Sequence, residues 1–312
     1  MTRPAQASAE GGPVAEAIAG GVLTAKKSPL TVPPSGRERP RPKAGLKQAT
    51  LAKVRAVIKF LLDSGIISWG LLFAGWGVIA LFYDPTFFPG PIETVQGAWE
   101  LILDGTLLKF SLVSLYRVFK GWVIGSIIAV PIGLLIGRIR LVKQLVEPLV
   151  DYFRFIPAIA FLTLFIMWFG VGERSKVLLI VYNTCFIVIV NTASGVLSID
   201  QRRIQAARTL GASELKIVLH VLLPECIPHI FTGVRLGLGS AFTSIIAAEM
   251  LAAKEGLGYL IFTSRLYFRI DWIMSGIIML GLLGYFTDRV FRAFGRVALK
   301  RYGISDIKEF GQ

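Results

Sequence analysis

Arg117 and Glu249 are the ionisable residues whose positions carry the most chemistry, because each sits in a long apolar run where a bare charge is costly. Three uses are open to them: a structural or gating ion pair, a place in a substrate site, or snorkelling to the interface. Arg235, in another apolar run, either snorkels to lipid phosphates or faces an anion pathway. Asn183, Asn191, Thr192, Ser240, Thr243 and Ser244 add neutral polar groups in such runs, suited to lining a pathway or to hydrogen bonds between helices.

The same inventory argues against catalysis. His220 and His229 stand nine residues apart, which matches no common zinc spacing and suits solvated or capping roles. No single run pairs carboxylates or holds a nucleophile motif. The chain has no Gly-Lys dipeptide, and so no phosphate-binding P-loop of the usual form. Cys185 and Cys226 give neither a metal spacing nor a disulfide framework and read as small apolar filler. The expectation is a chain that is not an enzyme and binds no metal or cofactor of its own.

The elements that must position these residues belong to a membrane. Over 312 residues the hydrophobic content is 54% and the charged content 17%, with a mean hydropathy of +0.64, too apolar for an ordinary soluble domain. The net charge of +14 has to be read by its distribution. Most of the 34 Lys and Arg residues fall in the first 43 residues and in segments 43–59, 138–154, 202–216 and 289–308. Basic segments alternate with sparse ones, the positive-inside asymmetry of a polytopic protein, so the charge reports orientation and not nucleic-acid binding.

Residues 1–45 are rich in proline and lack aromatic residues, which predicts a disordered cytoplasmic tail. No cleaved signal is expected, since Glu16 interrupts the mildly apolar stretch at 14–25 and Lys26-Lys27 follow it. Residues 46–62 predict a basic amphipathic helix on the inner leaflet. The domain at 63–301 then holds six predicted spans, at about 66–83, 107–137, 149–169, 177–197, 230–251 and 272–291, with Pro157 kinking the third. An interfacial helix at 92–103 carries Trp99, a re-entrant or outer turn contains Gly256-Leu257-Gly258, and a tail at 302–312 ends the chain. An even number of spans puts both termini in the cytoplasm.

Between the fourth and fifth spans, residues 201–228 form the long polar interruption of the second half, on the cytoplasmic face under this topology. Residues 204–210 predict a short helix whose Ala206 and Ala207 let another protein's backbone come close. Gly211 supplies the turn, Ser213 an N-cap, and Leu215, Val218, Leu219 and Leu222 the apolar side of a second helix that Pro224 stops. Such an element transmits force only by docking a partner.

Gln205-Ala206-Ala207, three residues, Gly211, nine residues and Val221-Leu222-Leu223-Pro224 resemble the cytoplasmic "EAA" loop of permease subunits in binding-protein-dependent ABC importers. Gln205 stands for the usual Glu and Val221 for the usual Ile; the former removes a negative charge from the partner interface. S-L-Y-R-V at 114–118, G-L-L-I-G at 133–137, W-F-G-V-G-E at 168–173, A-A-E-M-L at 247–251 and G-L-G-Y at 256–259 are similar to the nitrate/sulfonate/bicarbonate permease family. That family includes taurine, alkanesulfonate, nitrate, cyanate and bicarbonate systems.

The resemblance implies an all-α integral membrane protein with the six transmembrane helices of the type I ABC importer permease fold, in the cell inner membrane. It implies an ATPase-coupling surface at Gln205, Ala206, Ala207, Gly211, Ser213, Glu214, Leu223 and Pro224. Implied partners are two ABC ATPase subunits that use ATP and Mg, an extracytoplasmic solute-binding protein, a second copy of the chain, and the lipid bilayer. Arg117, Asn183, Asn191, Arg235, Thr243 and Glu249 stand as pathway or gating candidates. Similar sequences also import vitamin or pyrimidine precursors. A rival of another class, an ATP-independent secondary transporter, leaves the 201–228 loop unexplained.

Overall fold

The structure is a computed structural model, and it describes residues 66–299. The expected tail, amphipathic helix and C-terminal tail lie outside the described residues. Within them, every regular element is helical.

The first helix, α1 (Ile66–Ala80), is 15 residues long. At 1.5 Å per residue it covers about 22 Å, short of a ~30 Å apolar layer. The predicted span to residue 83 is shortened because the chain turns at Leu81–Tyr83 ahead of Asp84-Pro85, where the residue preceding a proline is steered from the helical region. Next, α2 (Pro91–Leu103) starts with Pro at its first turn, where no N–H is needed, and leaves Trp99 exposed.

Three long helices form the centre: α3 (Thr106–Arg138), α6 (Glu173–Leu197) and α9 (Leu223–Ala252). Each is apolar along most of its length, and α3 and α9 both pack on α6. What lets α3 and α6 approach is a stripe of small residues at every fourth position of α3: Gly121, Gly125, Ala129, Gly133 and Gly137. A Cβ at Gly121 would lie 2.5 Å from the Ile180 Cβ, and one at Gly137 would lie 2.4 Å from the Val196 Cβ. On α9, Gly233 and Gly237 do the same against Asn191 and Thr184 of α6. Val118, Trp122, Ile180, Leu238, Phe242 and Ile245 fill the core between the three. The Trp122 indole N–H donates to the Val234 carbonyl at 2.8 Å.

The third predicted span is corrected. Instead of one kinked helix over 149–169, the chain forms α4 (Arg140–Phe153) and α5 (Ala158–Phe169), meeting at 97°. Two causes coincide. Pro157 has no N–H and pushes Ile156 out of the helical region. The helix before it is polar along one side, where Lys143, Glu147, Asp151 and Arg154 pair by helical spacing. Near the chain's end, α10 (Leu257–Leu266) occupies the predicted turn region, and α11 (Ile270–Leu299) follows. Among the described residues four helices are long and apolar enough to cross a membrane, or five if the bent α4–α5 pair is one span.

Candidate functional site

Residues 201–228 fold as α7 (Gln201–Thr209), a turn, and α8 (Glu214–Ile217). Asp200 caps α7 by accepting from the Arg202 amide at 2.9 Å. Gly211 takes φ +78°, the left-handed conformation that ends a helix cheaply only at glycine. Ser213 accepts from the Lys216 amide, at a long 3.5 Å. Glu214 ties the turn to two elements, meeting Arg208 of α7 at 2.7 Å and also Arg138 at the end of α3. Beneath, Ile204, Ile217, Leu222 and Cys226 are buried against Val196 and Ile199, while Leu210, Leu215 and Leu219 face outward, Leu210 at 87% exposure.

Pro224 does not stop the second helix, which corrects the expected helix-turn-helix-stop. Val218–Leu222 form a π-helical turn in which the Leu223 N–H bonds back to the Val218 carbonyl. The wider turn absorbs the donor missing at Pro224, and helix continues from Glu214 to Ala252. Leu223 and Pro224 therefore start α9 and do not close a loop.

At the far end of α9, Arg117 and Glu249 meet, Nη1 donating to Oε1 at 2.8 Å, with Glu249 fully buried. The pair sits in a larger network than the sequence suggested. Arg117 also forks onto Glu173 through Nε and Nη2, at 2.7 and 2.6 Å, and donates to the Glu255 carbonyl at 2.7 Å. Lys176 reaches Glu173 at 2.9 Å, and Lys109 reaches Glu255 at 2.7 Å. Glu249 accepts from the Ser114 hydroxyl at 2.8 Å and from the Gly258 amide at 2.9 Å. Ser114 in turn accepts from the Leu257 amide at 2.9 Å. One cluster thus joins the ends of α3, α6 and α9 to the start of α10. At Gly256, φ is +119° and a Cβ would lie 2.3 Å from the Glu249 carboxyl carbon, so this turn requires glycine.

Arg235 pairs across helices: its Nε donates to Asp288 of α11 at 2.6 Å, and Arg292 shares that carboxylate at 2.9 Å. Asn183 of α6 donates to Ser244 of α9 at 2.7 Å and to the Ser240 carbonyl at 3.2 Å. Asn191 donates to the Ile187 carbonyl of its own helix. Thr243 is exposed and bonds within α9, whereas Thr192 is buried against Gly133 and lines nothing. Both asparagines border a cavity of about 410 Å³ between α6 and the α4–α5 corner.

The cluster partners Ser114 and Glu173, and Asp288 beside Arg235, were missed from sequence. Ser114 lies one turn before Arg117, a spacing that places both on one face; Glu173 and Asp288 are distant in sequence and gave no such signal. Among the described residues no group of His, Cys, Asp and Glu has a metal-binding arrangement.

Long apolar helices joined at one end by a buried ion network, with an exposed capped turn at the other, make up a membrane protein. The chain belongs to the family of binding-protein-dependent transport system inner membrane components, whose family model matches residues 129–298. It is 38% identical over 232 residues to a probable ABC transporter permease protein of Brucella melitensis, covering 74% of this chain and 91% of that one. The taurine transport system permease protein TauC of Escherichia coli is 32% identical over 72% of this chain and 84% of its own length. A putative aliphatic sulfonates transport permease protein, SsuC, of Bacillus subtilis is 32% identical over 86% and 95%. In fold the chain is similar to a chain of the MetNI methionine ABC transporter in its inward-facing conformation. The TM-score is 0.52 at 21% identity, covering 61% of this chain and 97% of that one.

Proposed function

We propose that this permease is part of an ATP-driven importer carrying a small anion of the sulfonate, taurine or nitrate class into the cytoplasm by alternating access. Two copies enclose the pathway. Each spans the bilayer six times with both termini cytoplasmic, the short α1 and the bent α4–α5 pair each serving as a span. Two separate ATPase subunits, which bind ATP and Mg, dock beneath residues 201–228, and an extracytoplasmic solute-binding protein delivers the cargo. The names of the sulfonate and taurine relatives support the substrate class.

The observation that carries this reading is the unbroken helix from Glu214 to Ala252. A contour of 39 residues extends about 58 Å, from an exposed surface holding Gln205, Ala206 and Leu210 to the buried Glu249 cluster. A partner that shifts the capped turn therefore moves the foot of the helix whose other end closes the network. Leu210 at the tip has no packing of its own, which suits a docking residue.

The test is reconstitution of the chain with its cognate ATPase and binding protein in proteoliposomes, following labelled taurine. Uptake is expected to require ATP, and Leu210→Glu to lose the ATPase on co-purification while keeping the melting temperature of the wild type. Uptake driven by an ion gradient without ATPase overturns the reading.

A further inference from the structure

The cavity at the α4–α5 corner has a chemical character of its own. Its wall on α6 carries Tyr182, Asn183, Phe186 and Asn191, and the opposite wall is the non-helical Arg154–Ile156. Asn183 and Asn191 are the eleventh and nineteenth residues of the 25 in α6, so the cavity lies along the middle of a long apolar helix, away from both ends. Non-helical backbone at such depth is tolerated where it borders a cavity. The corner is held in place by the Tyr182 hydroxyl, which donates to the Phe153 carbonyl at 2.7 Å.

We infer that this cavity is a transit site for a small zwitterionic organic acid of the aminosulfonate kind, with Arg154 receiving the anionic head and the asparagine carbonyls the ammonium group. The inference rests on the importer reading above and narrows its substrate. Arg154 holds Asp151 through Nε at 3.3 Å, and its guanidinium lies over the Phe155 ring at 4.9 Å. Its two terminal nitrogens have no hydrogen-bond partner among the described residues. Helix α5 begins beside it at Ala158, directing the positive end of its dipole toward the same corner.

Across the cavity the amides are oriented by their own bonds. Asn183 Nδ2 is committed to Ser240 and Ser244, and Asn191 Nδ2 to Ile187. That leaves both Oδ1 atoms as acceptors, without a donor among the described residues. Amide oxygens repel an anion and attract an ammonium group, so the two walls differ in sign. Phe186, Ile187 and Val190 lie among the polar groups and suit a short hydrocarbon link. A bare inorganic oxyanion would leave the amide oxygens and the apolar lining unused.

The experiment compares uptake of labelled taurine and labelled ethanesulfonate by the reconstituted transporter, alongside ATPase activity stimulated by the loaded binding protein. Arg154→Gln is expected to lower uptake of both about ten- to a hundredfold, the size of a lost charged hydrogen bond. Stimulated ATPase activity stays at the wild-type level, and Arg154→Lys recovers part of the loss. Asn191→Ala is expected to lower taurine relative to ethanesulfonate about three- to tenfold. Wild-type uptake in Arg154→Gln, loss of its ATPase stimulation together with uptake, or an unchanged taurine-to-ethanesulfonate ratio in Asn191→Ala overturns the assignment. If the wild-type transporter hydrolyses ATP but carries neither compound, the substrate reading itself fails.

Discussion

At the Glu249 end of the bundle the charges are dry: Arg117 and Glu249 are 4% and 0% exposed, and each has several short partners. At the loop end Arg138, Arg208 and Glu214 make the same kinds of pair, but the Glu214 side chain is 61% exposed. Desolvation makes the first arrangement costly to assemble and more costly to break, because losing one partner strands a buried charge. Solvent screening makes the second cheap to lose and to reform. The difference fits a helix with one end fastened into a folded cluster and the other free to exchange its contacts for a partner's.

The comparison breaks most directly at Arg117. Arg117→Leu strands the buried Glu249 and takes one partner from the half-exposed Glu173, which keeps Lys176, and is expected to destabilise the protein by about 3–5 kcal/mol. Glu249→Gln strands only one side of the network and costs less. Glu214→Gln, at the other end, is expected to shift the melting temperature little, because solvent screens its pairs. Melting temperatures in detergent report all three, and the Arg117→Leu/Glu249→Gln double variant should lose less than the sum of the singles. A Glu214→Gln shift as large as that of Arg117→Leu would remove the distinction between the two ends.

How far the sequence foretold this arrangement depended on whether the signal was local. Gly211 and Ser213 were legible because a left-handed turn and a cap are set by one or two residues. Arg117 and Glu249 stood out because a charge in an apolar run has few uses, although Glu173 and Asp288 are joined to their arginines only by the packing of helices. Pro224 misled: its local meaning is a stop, and only the π-helical turn before it lets the helix continue. Arg154 was read as one of a basic group marking topology. Pro157 announced a kink in the third span, but nothing local announced that the chain would turn through 97° there.

Between the two ends runs the α3–α6 contact, and it sharpens the comparison by showing what rigidity the middle supplies. An alanine Cβ at Gly133 would lie 2.6 Å from the Thr192 Cβ and 2.9 Å from the Ile189 carbonyl oxygen. Neither is the end of a flexible side chain, so the helices must part. Gly133→Ala is expected to cost about 1–3 kcal/mol by overpacking. Gly70→Ala on α1, where nothing lies within 4 Å, is expected to be neutral or mildly stabilising. Equal thermal shifts in the two variants would mean that the α3–α6 contact yields freely and carries no displacement along the bundle.

The finest test sets a wet ion pair beside the dry one. On α2, Glu100 accepts from Arg269 at 2.5 Å and from the Trp272 indole N–H at 3.2 Å, joining α2 to the start of α11. The Arg269 hydrogen bond, then that of Trp272, hold the Glu100 carboxyl below its ordinary 4.5. A carboxylate depressed in the folded state adds stability that is complete above its unfolded value. That stability is lost as the pH falls from there through the folded value. The gap in melting temperature between wild type and Glu100→Gln is therefore expected to be small at pH 7, unchanged down to about pH 5, and to close below pH 4.5. Added salt should shrink this gap while leaving the Arg117→Leu shift nearly unaltered, since screening reaches exposed charges and not buried ones. A salt-insensitive gap at Glu100 would place that carboxylate with the dry cluster.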